Sequence, residues 1–506
     1  MWNSLLAYTR SDTFCMKAPP SRAAYAAAMV NVVLVGALVL GAITVARRAR
    51  RPWSQLAQGV VLAVALIPVY AFVEILTVYV PPIGDPLKNL LRAAGPAVIP
   101  CGLALLAVTL VWRHAIARLG AAVLLILFPF VPLTFFNAAR MMIGRDPAPF
   151  RDPPPAARLA GHAPPRRVLW MVFDEWDQSV AFSRRDPGLA LPEFEAFRSR
   201  ALYALNAYPP AGETGRSIPA LVTGRLVKKV QPVDTNTVLL TFADQSAGVS
   251  WSTQPNVFSR ARAAGFNTAV AGWSLAYCRA LGRDLSACHW EVLNLPSNSL
   301  GQSFPEILLN QNRNHFETQF RSLWGRSLST TGHSRAYTAV LEQALRYIAD
   351  PGLGLVMVHL PIPHPPYFYS RATRRFDLRR PFLLGALRPF REGYPDALEL
   401  ADRSLATVRE SMQRAGAWEN TTILLSSDHS HRQSQIFTGL PERDHRVPFL
   451  LKLAGQNQGL VYEGEFNTVL SSELLLAVLN GEVSTAVEAA AWLDRRRSIG
   501  RSPYDE

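Results

Sequence analysis

Thr214 lies in AGETGRSIPALVTGR (Ala211–Arg225), a short Gly-rich turn that runs into the apolar segment Ile218–Val222. Such a turn presents a hydroxyl at a helix N-terminus, where free N–H groups favour an approaching anion. A threonine hydroxyl is a poor nucleophile until a metal lowers its pKa, so the chain must supply ligands. Asp174 and Glu175 end the apolar stretch Arg167–Phe173 (RVLWMVF), and Asp428-His429 follow the stretch Thr421–Ser426 (TTILLS) and Ser427. His359 and His364 follow a third apolar run, in HLPIPHPPY, where the prolines fix the loop and hold both rings toward one place. His445, in RDHRVPFLLK, precedes a last apolar run and can also point inward. Ligand-type residues at so many strand ends and turns point to a metal-assisted active site. Asp, Glu, Thr and His around one or two divalent ions favour Zn²⁺ or Mn²⁺ over Ca²⁺, because imidazole is a poor ligand for hard cations.

To position these groups, strands must release them at their C-terminal ends into one crevice, as in a parallel α/β sheet. Besides the two strands ending at Asp174 and Ser427, strands are expected at Thr268–Ala271, Leu353–Val358 and Val447–Leu453. Helices are expected at Pro192–Ser199, Val257–Ala264, Ser334–Ile348, Tyr394–Ala415 and Glu473–Leu479. Apolar runs alternating with amphipathic ones over about 340 residues suit one large α/β domain.

The remaining third of the chain has a different composition. Four apolar runs, Ala23–Ala46, Leu56–Val80, Leu90–Trp112 and Ile116–Phe136, each approach the ~20 residues that cross a bilayer. Arg47, Arg48, Arg50 and Arg51 follow the first run, and Arg113 and Arg118 flank the third loop, which places both loops in the cytoplasm. The globular part is then outside, in a bacterial-type inner membrane protein with a periplasmic or extracellular catalytic domain. A Pro-rich segment, Asp146–Pro165, joins the two parts as a semi-rigid spacer. The expected organisation is a membrane domain over 1–140 with four transmembrane helices, a linker over 141–166, a catalytic domain over 167–490, and a basic, frayed tail over 491–506.

A net charge of +14 invites a nucleic-acid reading, but the basic residues, nearly all arginine, form no single patch, so nucleic acid is not an expected partner. Anionic lipid or substrate is the better use of the charge. Of four cysteines, Cys278 and Cys288 lie close together in the globular part, and an exported domain would let them pair; two unpaired thiols are the alternative.

From Arg167 to about Gly455 the chain resembles the sulfatase branch of the alkaline-phosphatase superfamily. The likeness rests on an ordered set: a strand ending in an acidic pair, a nucleophile turn closing in LVTGR, HxxxxHPP, LADRSL (Leu400–Leu405), the SSDH strand end and RVPFLLK. It implies an alkaline-phosphatase-like three-layer α/β/α sandwich, so the expected fold class is α/β, with the N-terminal helical membrane domain read from the apolar runs preceding that sandwich. It also implies that Asp174, with Glu175, Thr214, Asp428 and His429, binds metal. Thr214 would be the nucleophile, and His359 and His364, with His445 as a further candidate, would contact the substrate's anionic group.

The departures from the sulfatase pattern direct the functional expectation. Sulfatases carry Cys-x-Pro-Ser-Arg at the nucleophile, whereas here Thr214, Gly215, Arg216, Ser217 and Ile218 stand in line. Threonine cannot become formylglycine. A Thr nucleophile, an Asp-His pair and several N-terminal spans resemble the lipoteichoic-acid synthases and phosphoethanolamine transferases. That resemblance implies transfer of a phospho-headgroup from a membrane phospholipid donor to an envelope glycan or lipid acceptor, through a phosphothreonine intermediate. The alternative on the same scaffold is hydrolysis of phosphodiesters or sulfate esters.

Overall fold

The structure is a computed structural model that describes residues 21–48, 112, 130–144, 152–159, 166–233, 236–292, 303–323, 328–378, 390–496 and 500–505. It divides into two compact units. In the larger, eight strands form one sheet: β1 Arg167–Asp174, β2 Leu202–Ala204, β3 Thr268–Trp273, β4 Ala287–Glu291, β5 Leu355–Pro363, β6 Thr421–Ser427, β7 Phe449–Lys452 and β8 Leu460–Tyr462. Their order is β8-β2-β7-β6-β1-β5-β3-β4. β1 pairs in parallel with both β6 and β5, and β3 pairs in parallel with β5 and β4. β7 runs antiparallel to β6 and β2, so the sheet is mixed. The direction of β7 could not be read from an apolar run alone.

Alternation along β1 explains the layering. Val168, Trp170 and Val172 enter one core, while Leu169, Met171 and Phe173 enter the other. A strand buried on both faces reads as a continuous apolar run, which RVLWMVF does. The first core is covered by the helices Thr214–Thr223, Val257–Ala263 and Ser471–Asn480. The second is covered by Pro192–Arg198, Leu328–Ala349 and Phe390–Arg414. In the last of these, Leu398, Ala401, Leu405, Val408 and Met412 repeat at three- and four-residue steps and are buried together. The result is an α/β/α sandwich.

Three expectations change at the edges of this unit. The strands Leu202–Ala204, Ala287–Glu291 and Leu460–Tyr462 were not anticipated, because runs this short carry little periodicity. The described part of the Pro-rich segment does not stand off as a free spacer. Ala156 N donates to Leu285 O (2.7 Å), and Leu159 N donates to Asn267 Oδ1 (2.9 Å). The chain end is not frayed either: Ser502 and Asp505 are buried, and Gly212 N donates to Tyr504 O at 3.0 Å.

The smaller unit contains the helices Arg22–Arg48 and Phe130–Gly144, together with the first part of the helix Phe304–Leu323. Among the described residues one helix is long and apolar enough to cross a membrane, over Arg22–Ala42. The second and third expected spans (apart from Trp112), and most of the fourth, lie outside the described residues. Asn31, an amide within this apolar helix, is fully buried and satisfied from far along the chain. Its Nδ2 donates to Leu308 O and Gln311 Oε1, both at 3.1 Å, and Gln311 Nε2 donates to Ala24 O at 2.9 Å. An apolar helix that holds an amide against another helix has a specific face, since a buried unpaired amide is costly.

Asp402, within the LADRSL segment, shows how the long helix orders the sheet's other elements. Leu191 provides no side-chain cap for the helix Pro192–Arg198, and Asp402 Oδ1 instead accepts from Phe194 N at 2.7 Å. Burial, against the pull of these backbone N–H groups, raises the Asp402 pKa to about 6. A folded pKa above the unfolded one means that the contribution to stability is full below about pH 4 and lost as pH rises through the folded value. Asp402→Asn keeps an acceptor and cannot ionise. Its melting temperature relative to wild type should therefore rise between about pH 5 and about pH 8. A difference that stays flat or falls would show that the carboxylate ionises there without penalty.

Candidate active site and metal centre

The parallel register of β1 with β6 sets Phe173 beside Ser427, so the next residues, Asp174 and Asp428, emerge side by side. Ser427 laces the two strand ends together. Its hydroxyl lies 2.7 Å from Phe173 O and 2.8 Å from His429 O, and accepts from Trp176 N at 2.9 Å. Asp428 Oδ1 accepts from His429 N (2.8 Å) and Glu175 N (3.2 Å), which leaves Oδ2 turned inward. Thr214 is the first residue of its helix, and its Oγ1 lies 3.3 Å from Asp174 Oδ2 and 3.4 Å from His429 Nε2. Ser217, the neighbouring hydroxyl, is fully buried and donates to Ala211 O at 2.8 Å, so it braces the turn.

The donor set fits a cation. Asp174, Asp428 and His429 each offer an atom within 4.8 Å of the others, and all three are buried. His429 Nε2 lies 3.7 Å from Asp174 Oδ1 and 3.6 Å from Asp428 Oδ2. The Ser430 carbonyl, 3.1 Å from His429 Nδ1, can only accept, so Nδ1 carries the proton and Nε2 presents its lone pair. Asp174 Oδ1 and Asp428 Oδ2 have no hydrogen-bond partner although buried. Burial, and then the charges of Asp428 and Glu175, push the Asp174 pKa well above the carboxylate range. A divalent cation among these atoms would reverse that penalty.

Glu175, expected as a further ligand, is committed elsewhere. Its backbone is left-handed (φ 63°), which swings the side chain away from Asp174. The carboxylate meets His431 Nδ1 at 3.1 Å and Arg432 at 2.6 Å. Burial alone would raise its pKa, but His364 and His431 hold it well below the usual range. The Tyr394 hydroxyl donates to Glu175 O at 2.7 Å and fixes the reversal. Two residues of this network follow directly in the DHSHR run, where His431 and Arg432 were legible but unused.

The expected imidazoles divide in the same way. His359 is fully buried within β5, beside Val172 of β1 rather than after the strand, with Nε2 lacking a hydrogen-bond partner and 3.7 Å from Asp174 Oδ2. Burial lowers its pKa to about 4, and burial also lowers that of His364. The His364 ring packs against Trp273 (5.4 Å) and stacks on His333 (6.0 Å). His445 is not brought to the Thr214 cluster. Its Nδ1 pairs with Asp505 Oδ2 at 3.1 Å and its Nε2 accepts from Arg501 at 2.7 Å, so both nitrogens are occupied. Cys278 and Cys288 form a disulfide.

These placements separate two carboxylates that the sequence left alike. Asp428→Asn should strip the protein of its divalent metal while the fold persists, because Oδ2 makes no protein hydrogen bond to lose. Glu175→Gln should keep the metal. Elemental analysis of the two purified variants checks this, and metal loss on Glu175→Gln with retention on Asp428→Asn would reverse the assignment.

The sulfatase family profile matches residues 168–476, more than half of the chain. No curated protein matches it. Among solved structures, a sulfatase from Pseudoalteromonas sp. is 15% identical, covering 62% of this chain and 68% of that one at a TM-score of 0.42. A phosphonate monoester hydrolase from Silicibacter pomeroyi is 16% identical, covering 62% and 73% at a TM-score of 0.42. An alkaline-phosphatase-superfamily protein from Vibrio parahaemolyticus is 11% identical, covering 66% and 71% at a TM-score of 0.40. With a match that extends over more than half of its length, the chain belongs to the sulfatase family.

Proposed function

We propose that this protein is a metal-dependent ester hydrolase that cleaves phosphate, phosphonate or sulfate esters with Thr214 as nucleophile. The observation that carries the reading is the Thr214 hydroxyl, set at a helix N-terminus within 3.4 Å of both Asp174 and His429. Asp174, Asp428 and His429 would hold the ion, with Zn²⁺ or Mn²⁺ suited to the mixed carboxylate and imidazole donors. Such an ion supplies charge that favours the Thr214 alkoxide and withdraws electrons from the ester.

The chain's own residues then do the following. Thr214 Oγ1 attacks the phosphorus or sulfur, its proton passing to solvent or a neighbouring base, and the bond to the alcohol breaks on the opposite side. First-turn N–H groups of the Thr214 helix face the anion, and a Cβ at Gly215 would meet open space, so the approach is unobstructed. His359, neutral at pH 7, carries Nε2 beside Asp174 and can give a hydrogen bond to a substrate oxygen. Water then takes the phosphoryl or sulfuryl group from Thr214 and restores the hydroxyl.

A second reading keeps the first half-reaction and replaces water by an alcohol. The apolar helix Arg22–Ala42 favours it, since a tether beside a bilayer suits a phospholipid donor and an envelope glycan or lipid acceptor. In that reading the chain is an inner-membrane phospho-headgroup transferase with its catalytic part outside. A reporter active only outside the cytoplasm, joined after Glu506, should then be active, and one placed between Arg47 and Arg51 silent; the opposite pattern would overturn the exported location.

Thr214→Ala should abolish turnover of a chromogenic phosphodiester, or of a sulfate ester, and leave metal bound through the two carboxylates and His429. Peptide mass spectrometry of wild type quenched during turnover should find the added mass on Ala211–Arg216. An adduct on Ser217, or near-normal rates in Thr214→Ala, would sink the nucleophile. Release of a phosphomonoester from the diester, or of free sulfate from the sulfate ester, with no added acceptor separates hydrolysis from transfer.

A further inference from the structure

The Nδ1 edge of His359 has a partner that the proposed chemistry does not use. Tyr277 is fully buried, and its hydroxyl lies 2.7 Å from His359 Nδ1, with the rings crossing edge to face at 6.1 Å. Nδ1 and Nε2 stand on opposite sides of an imidazole, so a bond that fixes Nδ1 also aims Nε2. Here it aims Nε2 at Asp174 Oδ2, the same oxygen that Thr214 Oγ1 approaches. A phenol can donate to Nδ1 or accept from it, so it keeps the ring aligned through a change of proton at Nε2.

Tyr277 is itself held on a short, strongly braced platform. Its helix, Tyr277–Leu281, follows β3 directly, and the ring lies over Gly272, where a Cβ would overlap it. The next residue, Cys278, is bonded to Cys288 in β4. The buried side chain of Arg279 reaches Asp152 Oδ1 at 3.3 Å, and Trp290 Nε1 donates to Asp152 Oδ2 at 2.8 Å. Three consecutive residues, Tyr277, Cys278 and Arg279, thus tie the sheet edge to the active site.

We propose that Tyr277 is a positioning residue: it holds His359 so that Nε2 faces the tetrahedral oxyanion bound at Thr214, and the Cys278–Cys288 disulfide holds Tyr277 in place. The inference rests on the reading of the Thr214 cluster as an oxyanion site. The disulfide therefore belongs to the catalytic apparatus of this chain, and reduction should weaken substrate-anion binding without emptying the metal centre.

Calorimetric binding of orthovanadate to the metal-loaded full-length protein tests this without needing the natural substrate. Tyr277→Phe should weaken vanadate binding roughly tenfold, with bound metal and melting temperature kept near wild type. His359→Ala should weaken it at least as much, and the double variant no further than His359→Ala alone, because both remove one interaction. The pair Cys278→Ser with Cys288→Ser should shift binding in the same direction, again with no added effect in the His359→Ala background. Losses that multiply across the double variant, or Tyr277→Phe binding vanadate as wild type does, would overturn the positioning role. Failure of wild type itself to bind vanadate would overturn the oxyanion reading, and the proposal with it.

Discussion

Two carboxylates, Asp174 and Asp428, are buried side by side at the ends of adjacent parallel strands, and much of the surrounding structure answers that constraint. Taking two like charges out of water is unfavourable unless each is paired, and among the described residues neither forms an ion pair with an arginine or lysine. The local architecture shields one oxygen of Asp428 with backbone N–H groups and leaves the other bare. Ser427 clamps the two strand ends so that the carboxylates cannot drift apart. His429 is turned by the Ser430 carbonyl so that a lone pair, not a proton, meets them. Each of these features suits a site that could hold a cation.

The surroundings of Thr214 have two chemically distinct sides. Asp174, Asp428 and His429 form a side suited to positive charge. Trp273, Tyr277, His333, His359 and His364 form an aromatic side whose imidazoles are buried, with pKa values for the three histidines lowered by that burial. An anionic ester reaching Thr214 would meet attraction at the first side with a cation bound there, and hydrogen-bonding imidazoles at the other. Such a division favours charge that develops in the reaction over charge already present in the ground state.

Much of this was legible in the sequence, and the exceptions share a cause. Asp174, Thr214, Asp428 and His429 follow apolar runs or open a helix, and a local pattern is enough to bring them to one end of the sheet. Glu175 was not legible, because a single left-handed residue sends its carboxylate to His431 and Arg432. His445 was misjudged for a different reason. Its partner Asp505 lies 60 residues further on, in a stretch whose polarity suggests fraying and whose burial depends wholly on long-range packing. Tyr277 carried no signal at all, since an aromatic residue after a strand is ordinarily core.

The docking of the chain end has a temporal consequence. Tyr504 O receives the Gly212 N–H, two residues before Thr214, and Asp505 fastens His445. A polypeptide made from its N-terminus presents Thr214 long before it presents these closing residues. The turn that carries Thr214 therefore acquires this brace only after every strand of the central sheet has been made. Until then the Thr214 hydroxyl sits in a turn without that brace, so maturation of the site waits on residues far along the chain.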